Sequence, residues 1–484
     1  MGNSRHTASI HILDDDSLLH VFYLYRPFLL GEDEDADARL WGGTRLWVRG
    51  RWWYRLAHVC KRWRNVILGS ASHLGLSLVC TYGTRVAEML EHSPPLPLVI
   101  DYPRDDCDIT AEEEEGIIFA LKQRHRVLRI RLRTPVSSLQ KFIAGMDEEY
   151  PVLEHLVIVL RDNSTILIFP KSFQAPHLCH LTLQGFAFPI GSRLLTTAVG
   201  LVSLYLVMVH TSTYFHPHTL LQSISLMSQL EILAMYFKFS TLNHDVERQL
   251  TNTPVIAPIT LPNLRRVEFR GLSAYLEALV LPIIAPRLHK VEIEFFNQLA
   301  FSVPCLLQFI NAAENVTFGL AAFTFYDKKV NVSVYPHGET KVYALSVTVN
   351  CDHLDRGVSS MAQISNSIRQ IFSAVEYVAL QYRARSEEHN EIDCAEWHKI
   401  LRLFSNVKTL RIDSGLVKDL SRCLELNDEE LPLELLPKLQ NLTYGRRGNS
   451  RDGAAFTSFV DARQNAGRPV TLVRLKPTFF GGIR

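Results

Sequence analysis

The stretches LPNLRRVEF, residues 261–269, and APRLHKVEI, residues 285–293, follow one another in the chain and share one pattern. In each, a proline stands two residues before an apolar residue, and further apolar residues follow three and five positions later. The two triplets are Leu264, Val267 and Phe269, and Leu288, Val291 and Ile293. Proline suits the start of a strand but not its interior, because it fixes φ and removes a hydrogen-bond donor. Each stretch is therefore predicted to lead into a β-strand.

The apolar triplet recurs from residue 127 onward in about thirteen copies, spaced roughly 29 residues apart, near the leucine-rich-repeat period. The copies begin at Val127, Leu153, Leu178, Leu201, Leu230, Leu264, Leu288, Ala313, Ala344, Val375, Val407, Leu439 and Val470. Segments with helical spacing lie between them. A strand whose next strand comes only after a helix must pair parallel to it. The pattern thus predicts an α/β fold, a right-handed solenoid with parallel strands on the concave side and helices outside. An ordinary doubly wound α/β domain is the alternative, although thirteen strands exceed the usual sheet.

The 484 residues include 51 Lys and Arg, 50 Asp and Glu, and 47% hydrophobic residues, which excludes a wholly disordered chain. A formal net charge of +1 gives no overall attraction to nucleic acid or to an anionic membrane. No apolar run is long enough to span a membrane, and the first residues lack a secretory signal. The eight cysteines include no CxxC pair, which predicts no disulfide framework and no cysteine zinc site. We expect a protein of the cytoplasm, the nucleus or both, with no nucleic-acid or membrane partner.

The first 75 residues have a different, helical pattern. The segments LDDDSLLHVF, from Leu13 to Phe22, and VCKRWRNVI, from Val59 to Ile67, flank an acidic insert at about residues 27–50. The first segment resembles the opening of the F-box, L-P-x-E-x-L-x-x-I-F, with Asp14 where the motif has proline. The second is similar to the closing V-C-[KR]-x-W-[RK]-x-[IVL] of the same motif. The chain thus resembles F-box-like proteins with C-terminal leucine-rich repeats, of the type found in fungi.

The repeats and the resemblance together place an F-box-like all-α domain at residues 1–75, a linking segment and cap at 76–126, the solenoid at 127–476 and a tail at 477–484. The resemblance implies the substrate-recognition subunit of an SCF-type cullin-RING ubiquitin ligase. The F-box would bind a Skp-type adaptor and cullin, and the repeats would bind an unknown target protein. The residues expected at the adaptor are Leu13, Asp14, Leu18, Val21, Phe22, Val59 and Trp63. Leu18, Phe22, Val59 and Trp63 are also expected to join the two front helices.

The sequence has no G-x-S-x-G, G-x-x-x-x-G-K-[ST], G-x-G-x-x-G or H-E-x-x-H motif. We therefore expect no enzymatic activity, no catalytic residues, no cofactor and no metal. A ligase-independent interaction scaffold or ligand sensor with the same repeats is the alternative function. A hydrolase on a divergent α/β fold is a more remote one.

Strand alternation predicts where a target would bind. The apolar positions of each copy point into the solenoid, so the residues between and just after them line the concave face. In the middle copies this face would be apolar and partly aromatic, with charge at its border. The predicted target-binding residues are Tyr205, Tyr236, Arg266, Glu268, Arg270, Lys290, Glu292 and Glu294. The alternative is that the charged residues only neutralise one another across neighbouring strands.

A second charged row lies in RHRVLRIRLR, residues 124–133. Its alternation puts Arg129, Arg131 and Arg133 on one face of a strand, where they would attract a phosphate or an acidic peptide. The alternative is a solvated face paired with the glutamates at 112–115, which begin a helix together with Thr110.

Overall fold

The computed structural model describes residues 12–26, 52–103, 109–161, 167–187, 192–209, 215–238, 257–298, 300–312, 318–338, 342–351, 354–384, 394–425, 435–445 and 455–475. The predicted insert at 27–50 and the tail at 477–484 lie outside these ranges. The chain divides into two compact units, Met1–Met208 and Val209–Arg484. No helix of the described ranges is long and apolar enough to cross a membrane.

The front of the first unit is helical, as predicted. The described helices are α1 Asp15–Tyr25, α2 Trp52–Ala57 and α3 Lys61–Gly69. Asp14 begins α1, because its carboxylate accepts a 2.7 Å hydrogen bond from the Ser17 N–H and satisfies a donor that the helix leaves unpaired. Arg62 on α3 donates to the Asp15 carboxylate at 2.8 Å and to the Leu13 carbonyl at 2.6 Å. These bonds tie the start of α1 to α3.

Strands and helices alternate in the rest of the first unit. Its strands are β1 Leu78–Cys80, β2 Leu98–Tyr102, β3 Val127–Thr134, β4 His155–Leu160, β5 Leu167–Ile168, β6 His180–Gln184, β7 Phe186–Ala187 and β8 Ser203–Val209. Its further helices are α4 Val86–His92, α5 Ala111–Leu121, α6 Val136–Ala144 and α7 Arg193–Thr197. Strands β1, β2, β3, β4, β6 and β8 pair in that order, all parallel. The segment 76–126, predicted as a link and cap, thus carries two strands of the same sheet.

The second unit continues the alternation. Its strands are β9 Ile232–Phe237, β10 Ile259–Thr260, β11 Arg266–Gly271, β12 Ile283–Ile284, β13 Lys290–Phe295, β14 Phe318–Phe325, β15 Lys329–Pro336, β16 Leu345–Asn350, β17 Tyr377–Tyr382, β18 Thr409–Ile412, β19 Asn441–Gly445 and β20 Thr471–Leu475. Its helices are α8 Pro217–Ile224, α9 Ser273–Val280, α10 Pro304–Asn311, α11 Leu354–Ser367, α12 Arg369–Ser373, α13 Cys394–Leu401, α14 Val417–Cys423 and α15 Thr457–Asn465. Short strands β5 and β7, and β10 and β12, form separate parallel pairs.

A hydrogen-bonded turn precedes five of the strands, those in which a proline stands two residues before the first apolar residue of the triplet. The N–H of the first apolar residue donates to the carbonyl three residues earlier, at distances from 3.0 to 3.3 Å. The five prolines Pro151, Pro176, Pro262, Pro286 and Pro437 all occupy the second position of this turn. Proline is favoured there because the turn requires φ near −60°. The prolines therefore belong to turns just ahead of the strands.

One carbonyl after each turn sets the register of the next strand. The Glu154 carbonyl accepts from the N–H groups of Cys179 and His180, at 2.8 and 3.0 Å. The Glu231 carbonyl accepts from Arg265 and Arg266 in the same way, also at 2.8 and 3.0 Å. The apolar triplets consequently align from strand to strand and are buried under the helices. Each unit is built of leucine-rich-repeat-like strand, turn and helix segments.

Strands β14 to β16 depart from the predicted all-parallel order. β15 runs antiparallel to both neighbours, and the three strands lie in reverse chain order, so β16 pairs with β13 and β14 pairs with β17. Only residues 326–328 join β14 to β15, whereas a parallel crossover needs about a dozen residues or more. The alternation Val330, Val332 and Val334, all buried, was the sequence signal for the extra strand.

Two predicted copies have the wrong register. In the copy that begins at Ala313, residues 313–317 lie outside the described residues, and β14 starts only at Phe318. Its inward residues are Ala321 and Phe323, five positions later than predicted. In the last copy, Leu442 pairs with Leu472, so Val473 lies on the opposite face. A one-residue shift exchanges the two faces, because side chains alternate along a strand.

The cysteine spacing predicted no disulfide framework, and it did not reveal the one disulfide found among the described residues. Cys394 and Cys423 form this bond, with their Cα atoms 4.9 Å apart. Cys394 begins α13 and Cys423 ends α14, and the packing of these helices brings the two ends together. Spacing along the chain does not reveal such a pair, because bonding depends on the distance between the residues in the fold.

We predict that Val332→Ala lowers the free energy of unfolding by about 1.5 to 2.5 kcal/mol, because it removes two buried methyl groups from β15. Lys329→Ala, at the exposed start of the same strand, should change it by less than about 0.5 kcal/mol. Urea unfolding of the two variants checks the prediction. Equal effects would contradict the placement of Val332 in the core.

Candidate functional site: the exposed strand face and the front helices

Seven of the eight predicted target-binding residues lie together on the exposed face of β9, β11 and β13. The register places them in three rows across the strands: Ile232, Arg266 and Lys290; Ala234, Glu268 and Glu292; Tyr236, Arg270 and Glu294. Neighbours in a row stand about 4.8 Å apart, the spacing of paired strands. The eighth residue, Tyr205, lies on β8 in the first unit.

Glu268 is the centre of these rows. Its side chain is buried, accepts a hydrogen bond from the Tyr236 hydroxyl and forms an ion pair with Arg266. Burial raises the pKa of the Glu268 carboxyl, and Arg266 and Tyr236 oppose that shift. Burial also raises the pKa of Tyr236, and the nearby Glu268 carboxylate adds to this effect. The phenol is therefore neutral, and its hydroxyl donates a hydrogen bond to the Glu268 side chain.

Two residues that the sequence reasoning missed complete the network. The Tyr343 hydroxyl donates to Glu292 at 2.7 Å, and the Asn350 amide donates to Glu294 at 2.9 Å. Asn350 lies on β16 and Tyr343 just before it, and both reach β13 because the reversed strand order makes β16 its neighbour. The repeat pattern placed a different strand beside β13, so no sequence signal pointed to these contacts.

The remaining charges of the rows are paired as well. Arg270 lies 3.3 Å from Glu294, and Lys290 lies 3.5 Å from Glu292. The Arg270–Glu294 pair joins β11 to β13, and so does Arg266, which lies 3.8 Å from Glu292; these two are the cross-strand contacts that the alternative interpretation expected. Lys290 and Glu292 pair within β13. The face has balanced charges and fixed side-chain positions, which suit recognition of a surface with complementary charge.

The apolar middle of the predicted target-binding face is more buried than expected. Tyr205, Val207 and Ala234 are buried, although their strand positions alternate with the inward apolar residues. Ala234 is small and stands beside the longer Glu268 side chain, which shields it. Tyr205 similarly presents little surface to a partner. Alternation assigns a side chain to a face, but its exposure depends on the size of its neighbours.

One row on the exposed face of the first unit is polar except at its first residue. It consists of Val99, Arg129, His155, His180 and Ser203. The rings of His155 and His180 stack with centroids 4.4 Å apart, and His180 Nδ1 lies 2.8 Å from the Ser203 hydroxyl. Burial, followed by the charge of Arg129, lowers the pKa of His155 to about 3. His155 is therefore uncharged at neutral pH.

The alternative interpretation paired the arginines of β3 with the glutamates at 112–115, but the carboxylate bound by Arg131 is that of another residue. Arg131 instead forms two hydrogen bonds with Asp101 on β2, at 2.6 and 3.0 Å. Glu113 caps α5 with Thr110, and Glu114 accepts from Lys141. The glutamates therefore serve the start of α5 and its contact with α6.

The predicted adaptor-binding residues divide into buried and exposed sets. Leu18, Phe22 and Trp63 join α1 to α3, with the Phe22 and Trp63 ring centroids 4.9 Å apart. Val59 does not join them: it is 56% exposed, because it lies in the short link between α2 and α3. Val59 was expected in the helix contact, and that expectation is wrong.

An apolar strip remains on α1. Leu13 is 36% exposed, Val21 is 41% exposed and Leu24 is 61% exposed. Residues three or four apart lie on one side of a helix, so Val21 and Leu24 are neighbours. Leu13 stands just before α1, where its carbonyl accepts from Arg62 on α3. Exposed apolar side chains grouped in this way are typical of an interface.

Two open clefts lie away from these surfaces. One, of about 590 Å³, is lined by residues of α11, α12 and α13, among them Gln363, Arg369 and Lys399. The other, of about 540 Å³, is in the first unit and is lined by Arg126, Glu154 and others. Among the residues that the structure describes, no group of three potential metal ligands comes together.

Comparison with known proteins adds little to this geometry. No model of a known protein family matches the chain, and no curated protein matches it. Among solved structures, a chain in the crystal structure of a TLR13–ssRNA13 complex is similar over 83% of this chain and 50% of its own length, with 13% identity and a TM-score of 0.33. The chain spans about half the length of that one. The fold assignment rests on the strands, turns and helices described above.

The depressed pKa of His155 predicts acid-sensitive stability. The unfolded imidazole takes up a proton near pH 6.5, whereas the folded one resists protonation down to about pH 3. The contribution of the neutral His155 side chain to the free energy of unfolding is complete above pH 6.5. As the pH falls, this contribution decreases by at most about 1.4 kcal/mol per pH unit. His155→Gln should flatten this slope, and His92→Gln, at an exposed position, should not. Urea unfolding between pH 7 and 4.5 measures both slopes, and identical slopes would contradict the prediction.

Proposed function

We propose that this chain is the substrate-recognition subunit of an SCF-type cullin-RING ubiquitin ligase. The front helices would bind a Skp-type adaptor, and the repeats would bind a target protein. The observation that carries the proposal is the exposed apolar strip at Val21 and Leu24 of α1, with the exposed Leu13 just before the helix. Leu13 and Val21 belong to the segment that resembles the F-box opening, and Leu18, Phe22 and Trp63 hold that segment on α3.

The division of α1 into two sides supports an adaptor site. Leu18 and Phe22 stabilise the contact with α3, so α1 is held in place before any partner binds. A rigid apolar surface binds with a smaller loss of conformational entropy than a flexible one. The exposed strip is therefore a preformed site, and Val59 at the α2–α3 link adds a further exposed apolar residue.

The repeats would hold a target and would not transform it. Their exposed face offers paired charges and hydroxyl and amide groups, for example Asn331, which donates to Ser346 at 2.8 Å and to Thr348 at 2.9 Å. In this proposal catalysis belongs to the ubiquitin-conjugating enzyme, and the chain raises the effective concentration of target lysines near it. No cofactor or metal is required, and the site of action is the cytoplasm, the nucleus or both.

A ligase-independent scaffold is the second candidate. It is favoured by Asp14, which stands where the F-box motif has proline and which caps α1 through Ser17. In that case the front helices would be a structural part of the first unit, and the repeats would still bind a protein or ligand.

We predict that Val21→Asp reduces capture of a Skp-type adaptor and cullin at least about tenfold, because it puts an unpaired charge into an apolar interface. Val152→Asp is the matched control, since Val152 is 38% exposed in the same unit but lies away from the front helices. Pull-down with purified full-length chain measures both. If the folded wild-type chain captures no adaptor, the scaffold is the better description. If Val21→Asp captures as much as wild type, α1 is not the adaptor site.

The target site is tested by exchange of one charge pair. Arg270→Glu combined with Glu294→Arg keeps an ion pair across the strands but reverses its direction. The free energy of unfolding should be higher in the double variant than in either single variant. The difference should be no more than about 1 kcal/mol, because the ion pair is partly exposed. Capture of a trapped target should nevertheless fall at least about tenfold. Unchanged capture would remove these residues from the site.

A further inference from the structure

Four neighbouring strands of the second unit carry uncharged side chains on their exposed face. The strands are β16, β15, β14 and β17, and their register places the outward side chains in three rows across them. The first row is Tyr335, Leu320 and Tyr377. All three are partly exposed, whereas Val378, the next residue along β17, points inward and is buried. An aromatic and apolar row thus crosses β15, β14 and β17.

The third row is polar, and it consists of Thr348, Asn331, Thr324 and Gln381. Asn331 donates to Thr348 at 2.9 Å, so these two side chains are fixed. The side chains of Thr324 and Gln381 form no hydrogen bond with any residue that the structure describes. Thr324 is only 9% exposed, and polar groups buried to this extent normally have a partner. The Thr324 hydroxyl and the Gln381 amide are therefore free to donate to a ligand.

The row between these two consists of small residues, Ser346, Ser333, Ala322 and Ala379. All four are buried, because the longer side chains of the outer rows cover them. Asn331, for example, donates to Ser346 at 2.8 Å and accepts from Ser333 at 2.8 Å. A single extended chain that lies over the small residues would therefore contact both outer rows.

The spacing of the first row indicates which backbone conformation fits. Tyr335 and Tyr377 are two strands apart, which is about 9.6 Å at about 4.8 Å per strand. A polyproline II helix has three residues per turn and rises about 3.1 Å per residue, so residues i and i+3 face the same side about 9.3 Å apart. Such a segment, lying across the strands, would place residue i on one tyrosine and residue i+3 on the other.

The chemistry of the rows indicates the same ligand. A charged group would lose hydration on this face without gaining a partner, because the three rows contain no charged side chain. Aromatic side chains are the usual contacts of proline rings in proteins that recognise polyproline II segments. The backbone of such a segment forms no internal hydrogen bonds, so its carbonyl groups can accept from Thr324 and Gln381.

We propose that this face binds a proline-rich segment of a target protein in the polyproline II conformation. Prolines at positions i and i+3 pack on Tyr335 and Tyr377, and carbonyl groups of the segment accept from Thr324 and Gln381. The proposal rests on the proposed role of the repeats as a protein-binding surface, and it adds the chemical class of the bound segment. It does not depend on adaptor binding.

The test uses the purified full-length chain without adaptor. A phage library of short random peptides is selected on the wild-type chain, and we expect enrichment of peptides with two prolines three positions apart. Tyr377→Ala should lose this enrichment, and Tyr377→Phe should keep it, because the contact uses the ring. Tyr326→Ala is the matched control and should also keep it, since Tyr326 is 38% exposed in the turn after β14, outside the rows.

One selected peptide is then synthesised with alanine in place of either proline, and with one residue inserted between the prolines. Fluorescence anisotropy should show at least about fivefold weaker binding for each alanine peptide. The insertion should weaken binding at least about tenfold, because it breaks the spacing of i and i+3. An alanine peptide should lose little more on the variant of the tyrosine that its missing proline contacts, because both changes remove the same interaction.

A melting curve shows whether Tyr377→Ala remains folded. If it does not, Gln381→Leu replaces it, and this variant should bind the selected peptide about 3- to 10-fold more weakly, because it removes one hydrogen-bond donor. Wild-type affinity of Gln381→Leu would contradict the proposed contact with the peptide carbonyl groups.

Three results would overturn the proposal: no enrichment of paired prolines, equal binding of the peptide with the insertion, or fully additive losses. Binding of a neutral oligosaccharide that Tyr377→Ala abolishes, without proline enrichment, would assign the face to a glycan and also overturn it. Capture of a target that the Arg270 and Glu294 exchange weakens, again without proline enrichment, would support the proposed function and remove only this inference.

Discussion

The hydrogen-bonded turn before the strands is the constraint on which the repeats depend. It closes a peptide loop of four residues and delivers the first apolar side chain to the core. The next carbonyl then accepts two N–H groups from the following strand, as Glu154 and Glu231 do. This carbonyl fixes the offset between strands, so all the inward side chains stack in rows. The outward side chains stack in rows for the same reason, and the binding face follows from the core register.

The three-stranded interruption in the second unit has a functional consequence. It preserves the direction of the strands at both of its borders, because β14 and β16 run parallel to β17 and β13. It also reverses their order, and this places Tyr343 and Asn350 beside Glu292 and Glu294. The charged rows of β11 and β13 thus continue into a hydroxyl and amide surface.

The charged side chains on the exposed strand faces have different partners in the two units. On the second, each predicted charged residue has a partner on its own strand or on a neighbouring one, and Glu268 is buried with a hydrogen-bond donor and a cation. On the first, Arg131 forms two hydrogen bonds with the buried Asp101, and the charge of Glu154 favours the ionised form of Arg129. Balanced charges give a face its specificity and are costly to disrupt.

The apolar spacing and the prolines predicted the strands, their parallel pairing and the inward faces, because local alternation and turn preference are properties of neighbouring residues. The front helices were predictable for the same reason, and so was the burial of Leu18, Phe22 and Trp63. Spacing could not reveal the reversed order of β14 to β16, the Cys394–Cys423 bond, the burial of Tyr205 or the exposure of Val59. These depend on which segments meet after long loops close, and on how large the neighbouring side chains are. The ion pair of Arg131 is of the same kind: alternation placed Arg131 on a strand face, but only the fold brought Asp101 of β2 beside it.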